Sequence, residues 1–146
     1  MHGMLWERRT STWQLRAMRR NRVGQMQRIT IPIHTVSESN AHEHWRKRHK
    51  RANGDKKKGI LGQRETVKLI LQTNAIKPAL PCTIRLVRIA PRKLDQGNLA
   101  GSMKHVQDGC ADWIGVDDRR DDVVKYEYAQ ERGKTKEYAI RIEVPT

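Results

Sequence analysis

The apolar residues of this chain occur in four or five short clusters rather than in one long run. The chain has 146 residues and no Phe, so Ile, Leu and Val must supply most of the buried surface. A chain of this length fits one domain with a modest core. No cluster approaches the ~20 consecutive apolar residues of a membrane span, and the N-terminus has no apolar segment typical of a secretion signal. We therefore expect a soluble, cytoplasmic protein.

Alternating apolar residues predict strands near both ends of the domain. The range 29–33 alternates Ile with polar residues, which is the period of a half-buried strand. Pro32 places this strand at an edge or at a bulge. Near the C-terminus, apolar residues alternate over 124–128 and again over 138–144, with Gly133 in the charged loop between them. We expect these last two segments to pair as a hairpin.

The middle of the chain is predicted to hold three helices and one interior strand. The helices cover 40–51, 60–73 and 98–115, and the strand covers 82–90, where apolar residues do not strictly alternate. The element order predicts an α/β fold, a small single domain with a mixed sheet of about four strands and two or three helices packed on it. The third helix is the clearest, because one apolar stripe runs along it: Leu99, Met103, Val106, Cys110 and Trp113, with Gly115 placed to end it.

The N-terminal part of the chain carries most of the positive charge. Residues 1–58 hold 15 Lys and Arg and 4 acids, whereas the whole chain has a net charge of +14. Such asymmetry indicates binding to nucleic acid or to another anionic surface. Residues 1–27 are basic, with two Trp and no clear period. We interpret them as a poorly ordered arm or a start-site extension, and residues 28–146 as the folded domain.

The segment 45–58 is the clearest candidate for contact with a polyanion. Its charges surround a predicted helix, an arrangement that a core would not tolerate. A solvated basic face is the simpler alternative, and packing against the sheet is the simpler role for its Trp. We expect contacts with backbone phosphates, since no groove-reading motif is evident. The candidate DNA-binding residues are Trp45, Arg46, Lys47, Arg48, Lys50, Arg51, Lys56, Lys57 and Lys58.

Other residue types in this region give weaker signals. His42, His44 and His49 could suggest zinc, but two scattered Cys and no CxxC motif make a zinc site improbable. We interpret Cys82 and Cys110 as reduced residues of the core.

Seven aspartates stand out within the basic chain: Asp95, Asp108, Asp112, Asp117, Asp118, Asp121 and Asp122. Carboxylates bind hard cations and Lys and Arg attract phosphates, so this contrast suits a metal ion held against a polyanion. From spacing alone, however, solvated loop acids are the favoured interpretation. Asp95 and Asp118 lie at opposite ends of the predicted third helix, and they could meet only through a second copy of the chain or a helix that bends back. Lys104 and Asp108 also have the spacing of a surface ion pair.

The run PRKLDQGNLAGSMKHVQDGCADWIGVDD, residues 91–118, resembles the signature of RusA-like Holliday junction resolvases of phage and prophage origin. In that family an Asp-x-Asp-Asn turn opens a helix that carries a Lys and an Asp, and an Asp-Asp pair follows. The similarity extends over roughly residues 28–146. The resemblance implies a homodimeric endonuclease that depends on Mg²⁺, with Mn²⁺ as a substitute. Such an enzyme nicks four-way DNA junctions during recombination and repair in the bacterial cytoplasm.

The resemblance assigns roles by position in the motif. The catalytic residues are Asp95, Lys104 and Asp118, and the metal ligands are Asp95, Asp108, Asp117 and Asp118. One position departs from the family, because Gly97 stands where a second turn acid is usual. The alternative is therefore a junction- or structure-specific DNA-binding protein that has lost cleavage. A generic basic RNA-binding protein is a third interpretation.

Overall fold

The structure is a computed structural model that describes residues 26–36, 45–55 and 57–146. Residues 1–25 of the predicted arm therefore lie outside the described residues. Within the described part, a four-stranded mixed sheet, a two-stranded sheet and four helices confirm the predicted small α/β class. The elements are β1 (Met26–Ile31), α1 (Trp45–Asn53), β2 (Gly54–Asp55), β3 (Ile60–Leu61), α2 (Gln63–Asn74), β4 (Cys82–Ala90), α3 (Gln96–Ser102), α4 (Lys104–Ile114), β5 (Val124–Arg132) and β6 (Ala139–Pro145).

The main sheet has the order β1-β6-β4-β5. The strand predicted from Ile29 begins at Met26 and forms one edge, and Pro32 follows its last residue. β1 runs antiparallel to β6, with Ile31 opposite Ile140. β6 runs antiparallel to β4, and β4 runs parallel to β5. The predicted interior strand at 82–90 is confirmed, because β4 has a strand on each side.

The predicted hairpin of β5 and β6 is wrong, because these strands lie on opposite sides of β4. β4 buries Ile84 and Leu86 on its core face and Val87 on the other face, where Arg85 stays exposed. A central position in the sheet suits a strand with both faces partly covered. The segment 91–123, which holds α3 and α4, is long enough for the crossover that a parallel β4–β5 pair requires. The connection after β5 then passes the end of β4, where the Gly133 amide donates to the Ala90 carbonyl at 2.9 Å.

The helix predicted over 98–115 is two helices, α3 and α4. The helical segment starts earlier than predicted, because Asp95 caps α3. The Asp95 Oδ1 accepts from the Asn98 amide at 2.8 Å. The segment breaks at Met103, which has φ −94° and ψ 0°. The Ser102 hydroxyl donates to the Leu99 carbonyl at 2.7 Å, and such bonds compete with the helical ladder. The predicted end at Gly115 is confirmed, with φ 82° in the left-handed region.

The other two helices also differ from the predicted bounds. α1 is described from Trp45, and residues 40–44 of its predicted range lie outside the described residues. The second helix was expected from Ile60. Ile60 and Leu61 instead pair with Asp55 and Gly54 as a short ladder, and α2 begins at Gln63. No helix in the described part is both long and apolar enough to cross a bilayer.

The core lies between one face of the main sheet and α2, α3 and α4. The predicted apolar stripe is confirmed on its core side, because every one of its residues is buried across the break at Met103. Cys110 is fully buried and Cys82 partly buried. The remaining core side chains come from α2, the strands and the segment after β1: Val67, Leu71, Ile31, Ile33, Ile84, Leu86, Val124, Ile140, Ile142 and Val144.

The crossing of α2 and α4 leaves no room for a side chain at Gly109. A Cβ there would lie 2.5 Å from the Arg64 carbonyl oxygen and 2.8 Å from the Val67 Cβ. We therefore expect Gly109→Ala to lower the free energy of unfolding by about 1–3 kcal/mol, because α4 must move away from α2. Gly101 of α3 has nothing within 4 Å, so Gly101→Ala should raise it by about 0.5–1 kcal/mol. Urea unfolding of both variants measures the difference, and equal effects would contradict the close crossing.

Candidate functional site

One lysine joins two carboxylates at the start of α4. Lys104 and Asp108 lie one turn apart, and the Lys104 Nζ donates to the Asp108 Oδ1 at 3.1 Å. The same Nζ donates to the Asp118 Oδ2 at 2.7 Å. Asp118 reaches Lys104 because the left-handed Gly115 reverses the chain after α4. This contact joins Asp118 to Lys104 and not to Asp95, so the predicted meeting of Asp95 and Asp118 stays a prediction.

The three groups form a charged cluster. The hydrogen bond from Lys104 is the largest influence that lowers the pKa of Asp118, and hydrogen bonds with Asp117 and Asp108 lower it further. In return, the bond to Asp118 raises the pKa of Lys104. Asp117 is held in the turn, where its Oδ1 accepts from the Arg119 amide at 2.9 Å. The cluster therefore keeps Asp118 ionised and Lys104 protonated at neutral pH.

The cluster opens into a cleft of about 580 Å³ between α2, α4 and the loop after α4. Arg64 of α2 lies on its wall and binds Asp112 with two hydrogen bonds, Nε to Oδ2 at 2.6 Å and Nη2 to Oδ1 at 2.8 Å. This pairing raises the pKa of Arg64 and lowers that of Asp112. The charged lining is Arg64, Lys104, Asp108, Asp112, Asp117, Asp118 and Arg119.

Asp95 has a different position from the other predicted site residues. Its Oδ1 and Oδ2 accept from the backbone amide and the Nδ2 of Asn98 at 2.8 and 2.9 Å. The preceding Leu94 is held by Gln130 of β5, which donates to the Leu94 carbonyl at 2.7 Å and accepts from its amide at 2.9 Å. The described residues that line the cleft do not include Asp95. The structure thus brings Lys104, Asp108, Asp117 and Asp118 together, whereas Asp95 caps α3.

Gly97 lies in the first turn of α3, beside Asp95. A Cβ added there would meet only the Asp95 Oδ1, at 3.9 Å. The position therefore has space for a side chain.

The carboxylates match the ligand chemistry of magnesium only in part. Mg²⁺ usually binds one or two protein carboxylates and keeps several waters, and the Asp117–Asp118 pair can supply those oxygens. In the described part of the chain, however, no group of three or more His, Cys, Asp or Glu side chains is arranged to hold a metal ion. At this site the Lys104 ammonium, rather than a further carboxylate, lies against Asp108 and Asp118.

The basic segment forms a separate part of the surface, on α1 and the turn after β2. Lys47 and Lys50 of α1 and Lys57 and Lys58 of the turn are exposed, and Arg51 is half-buried. Lys50 lies 3.6 Å from the Asp55 carboxylate. α1 packs against α2, which also carries Arg64. The side chains of Trp45, Arg46 and Arg48 and the whole of Lys56 lie outside the described residues, as do His42 and His44.

Sequence reasoning missed Arg64 and Gln130. Neither residue belongs to a motif, and their roles follow from packing of α2 on α4 and of β5 beside β4. Comparison with protein-family models found no match, and comparison with curated proteins found no significant match.

The contact with Lys104 makes the pKa of Asp118 sensitive to substitution. Because this pKa is lowered in the folded state, the contact stabilises the fold above the ordinary Asp pKa of about 4 and is lost as the pH falls through the lowered value. We expect Lys104→Met to raise the pKa of Asp118, since the hydrogen bond that lowers this pKa most is then lost. Carboxyl-carbon NMR titration measures the shift. Lys125→Met changes an exposed lysine of β5 in the same way and is the control. An unchanged Asp118 pKa in Lys104→Met would contradict the contact.

Proposed function

We propose that this protein is a metal-dependent, structure-specific endonuclease that cleaves four-way DNA junctions, similar to RusA-like resolvases. The observation that carries the proposal is the double contact of Lys104 with Asp108 and Asp118. The resemblance assigns functional roles to these three residues, which are separated along the chain. Their convergence in one open cleft supports the assignment, because spacing alone favours solvated acids that do not meet.

The residues of the cleft suit phosphodiester hydrolysis. Asp117 and Asp118 would hold a magnesium ion, whose chemistry there would be to polarise the scissile phosphate and to activate a water. Lys104 carries a positive charge that can neutralise the charge developing on the phosphate oxygens. Asp108 holds the Lys104 ammonium from the same helix face, and thus positions it. Asp95 is assigned as a ligand on the resemblance alone.

The proposed substrate is branched double-stranded DNA, bound through its phosphates. Lys47, Lys50, Lys57 and Lys58 supply exposed positive charge on the α1 side of the molecule. Such contacts release counterions, so that affinity falls steeply with salt. The resemblance further supports a homodimer encoded by a phage or prophage, which acts in DNA recombination and repair in the bacterial cytoplasm.

A labelled four-way junction incubated with Mg²⁺ or Mn²⁺ tests the proposal. We expect symmetric nicks from the wild type, reduced at least about 100-fold by Asp118→Asn and by Lys104→Met. Asp95→Asn tests the residue assigned by resemblance alone, and the proposal predicts a similar loss. Asp121→Asn changes an exposed aspartate of the same loop outside the cleft lining, and should cleave normally. Junction binding without nicks under both metals would refute the enzyme.

A junction-binding protein that no longer cleaves is the second candidate, and Gly97 is the observation that favours it. We expect Gly97→Asp to increase metal-dependent cleavage, because the position is open beside Asp95 and the first turn of a helix favours an acid. Gly97→Asn, which adds a side chain of the same size without the charge, is the control and should bring no gain. Cleavage by Gly97→Asp, with none by the wild type or by Gly97→Asn, would support the second candidate. No gain over an active wild type would show that the missing acid is dispensable.

A further inference from the structure

Arg88 of β4 is a buried cation. Only 7% of its surface is exposed, on the core face of the sheet. Its Nη1 donates to the Arg92 carbonyl at 2.8 Å, and its buried Nε has no hydrogen-bond partner among the residues that the structure describes. Among the described residues, no carboxylate forms an ion pair with it. Arg85 of the same strand, in contrast, pairs with Glu143 at 3.2 Å.

Burial of an unpaired guanidinium is unfavourable, because the lost hydration is not replaced. Burial accordingly lowers the pKa of Arg88. A carbonyl oxygen satisfies one of its donors without neutralising its charge. The Nε therefore remains a strong donor that an anion could satisfy.

Two exposed rings, of His34 and Tyr138, lie near Arg88. His34, which follows β1, stacks on Tyr138 with ring centroids 3.7 Å apart. Partial burial lowers the pKa of His34, and repulsion from Arg88 and Arg51 lowers it further. Arg88 also lies close enough to Tyr138 to interact electrostatically. The end of β4 thus places the Arg88 guanidinium near a stacked pair of exposed rings.

A second unsatisfied group belongs to the same end of the sheet. Thr35, adjacent to His34 in the chain, has a buried Oγ1 that finds no hydrogen-bond partner within the described part of the chain. Native proteins leave few buried polar groups unsatisfied, and a bound ion is one common explanation.

We propose that Arg88 forms the base of an oxyanion site at the carboxyl end of β4, with His34 at its rim, which binds a phosphate group. A planar guanidinium is well suited to phosphate oxygens. None of these residues lines the Lys104 cleft, so the site does not depend on the proposed nuclease activity. The phosphate belongs either to the DNA backbone or to a free phosphate ion.

Thermal unfolding in sodium phosphate, against sodium chloride of equal ionic strength, tests the site. Phosphate should raise the midpoint of the wild type, since it binds the folded state alone. Arg88→Met should lose this response. Arg85→Met, on the opposite face of β4, makes the same change and should keep it. An equal response in Arg88→Met, or no response in the wild type beyond that to chloride, would overturn the proposal.

A second measurement on the wild type keeps the test decisive if Arg88→Met does not fold. A phosphate bound beside His34 favours the imidazolium, so that phosphate should raise the pKa of His34 in an NMR titration, and chloride should not. An unchanged His34 pKa at saturating phosphate would overturn the site.

Binding of labelled duplex DNA then identifies the source of the phosphate. If the DNA backbone occupies the site, Arg88→Met should weaken binding about tenfold more than Arg85→Met, as expected for one lost charge-assisted hydrogen bond. Equal DNA affinity of the two variants, with the phosphate response lost only in Arg88→Met, would assign the site to a free phosphate ion.

Discussion

The central position of β4 is the constraint on which the rest of the structure depends. Ile84 and Leu86 are buried on its core face, and Val87 is buried on the other face, where Arg85 stays exposed. β4 lies between two strands and therefore separates β5 from β6. The parallel partner β5 then needs a crossover, and the crossover supplies α3, α4 and the loop with Asp117 and Asp118. The end of β4 also places Arg88 next to His34. Both candidate sites thus follow from where one strand lies.

The Lys104 cluster depends on two backbone features that side-chain spacing does not reveal. Met103 interrupts the helix, so that Lys104 begins α4. Gly115 adopts a left-handed conformation that reverses the chain, which brings Asp118 back along α4 to Lys104. An uninterrupted helix followed by an extended loop would separate these charges. The same residues would then be the solvated acids that spacing alone favours.

Local patterns in the sequence predicted the elements well, and long-range pairing poorly. Alternation and the stripe from Leu99 to Trp113 identified the main strands and the core face of α3 and α4, because those signals reflect neighbours along the chain. The β5–β6 hairpin failed because a short connection with a glycine resembles a hairpin turn whether or not another strand lies between. Arg64 and Arg88 carried no signal, since their significance comes from groups distant in sequence.

The charges of the cleft are nearly balanced, and this bears on its chemistry. Four carboxylates, from Asp108, Asp112, Asp117 and Asp118, face three cations, from Arg64, Lys104 and Arg119. Four acids alone would repel a phosphate, whereas paired charges leave a cleft that a polyanion can approach. The Arg64–Asp112 pair holds one acid away from the others through two hydrogen bonds. Asp118 is not part of that pair, and its carboxylate contacts the Lys104 ammonium instead. An acid at position 97 would add charge outside this balance, next to Asp95, where the resemblance places a metal ligand.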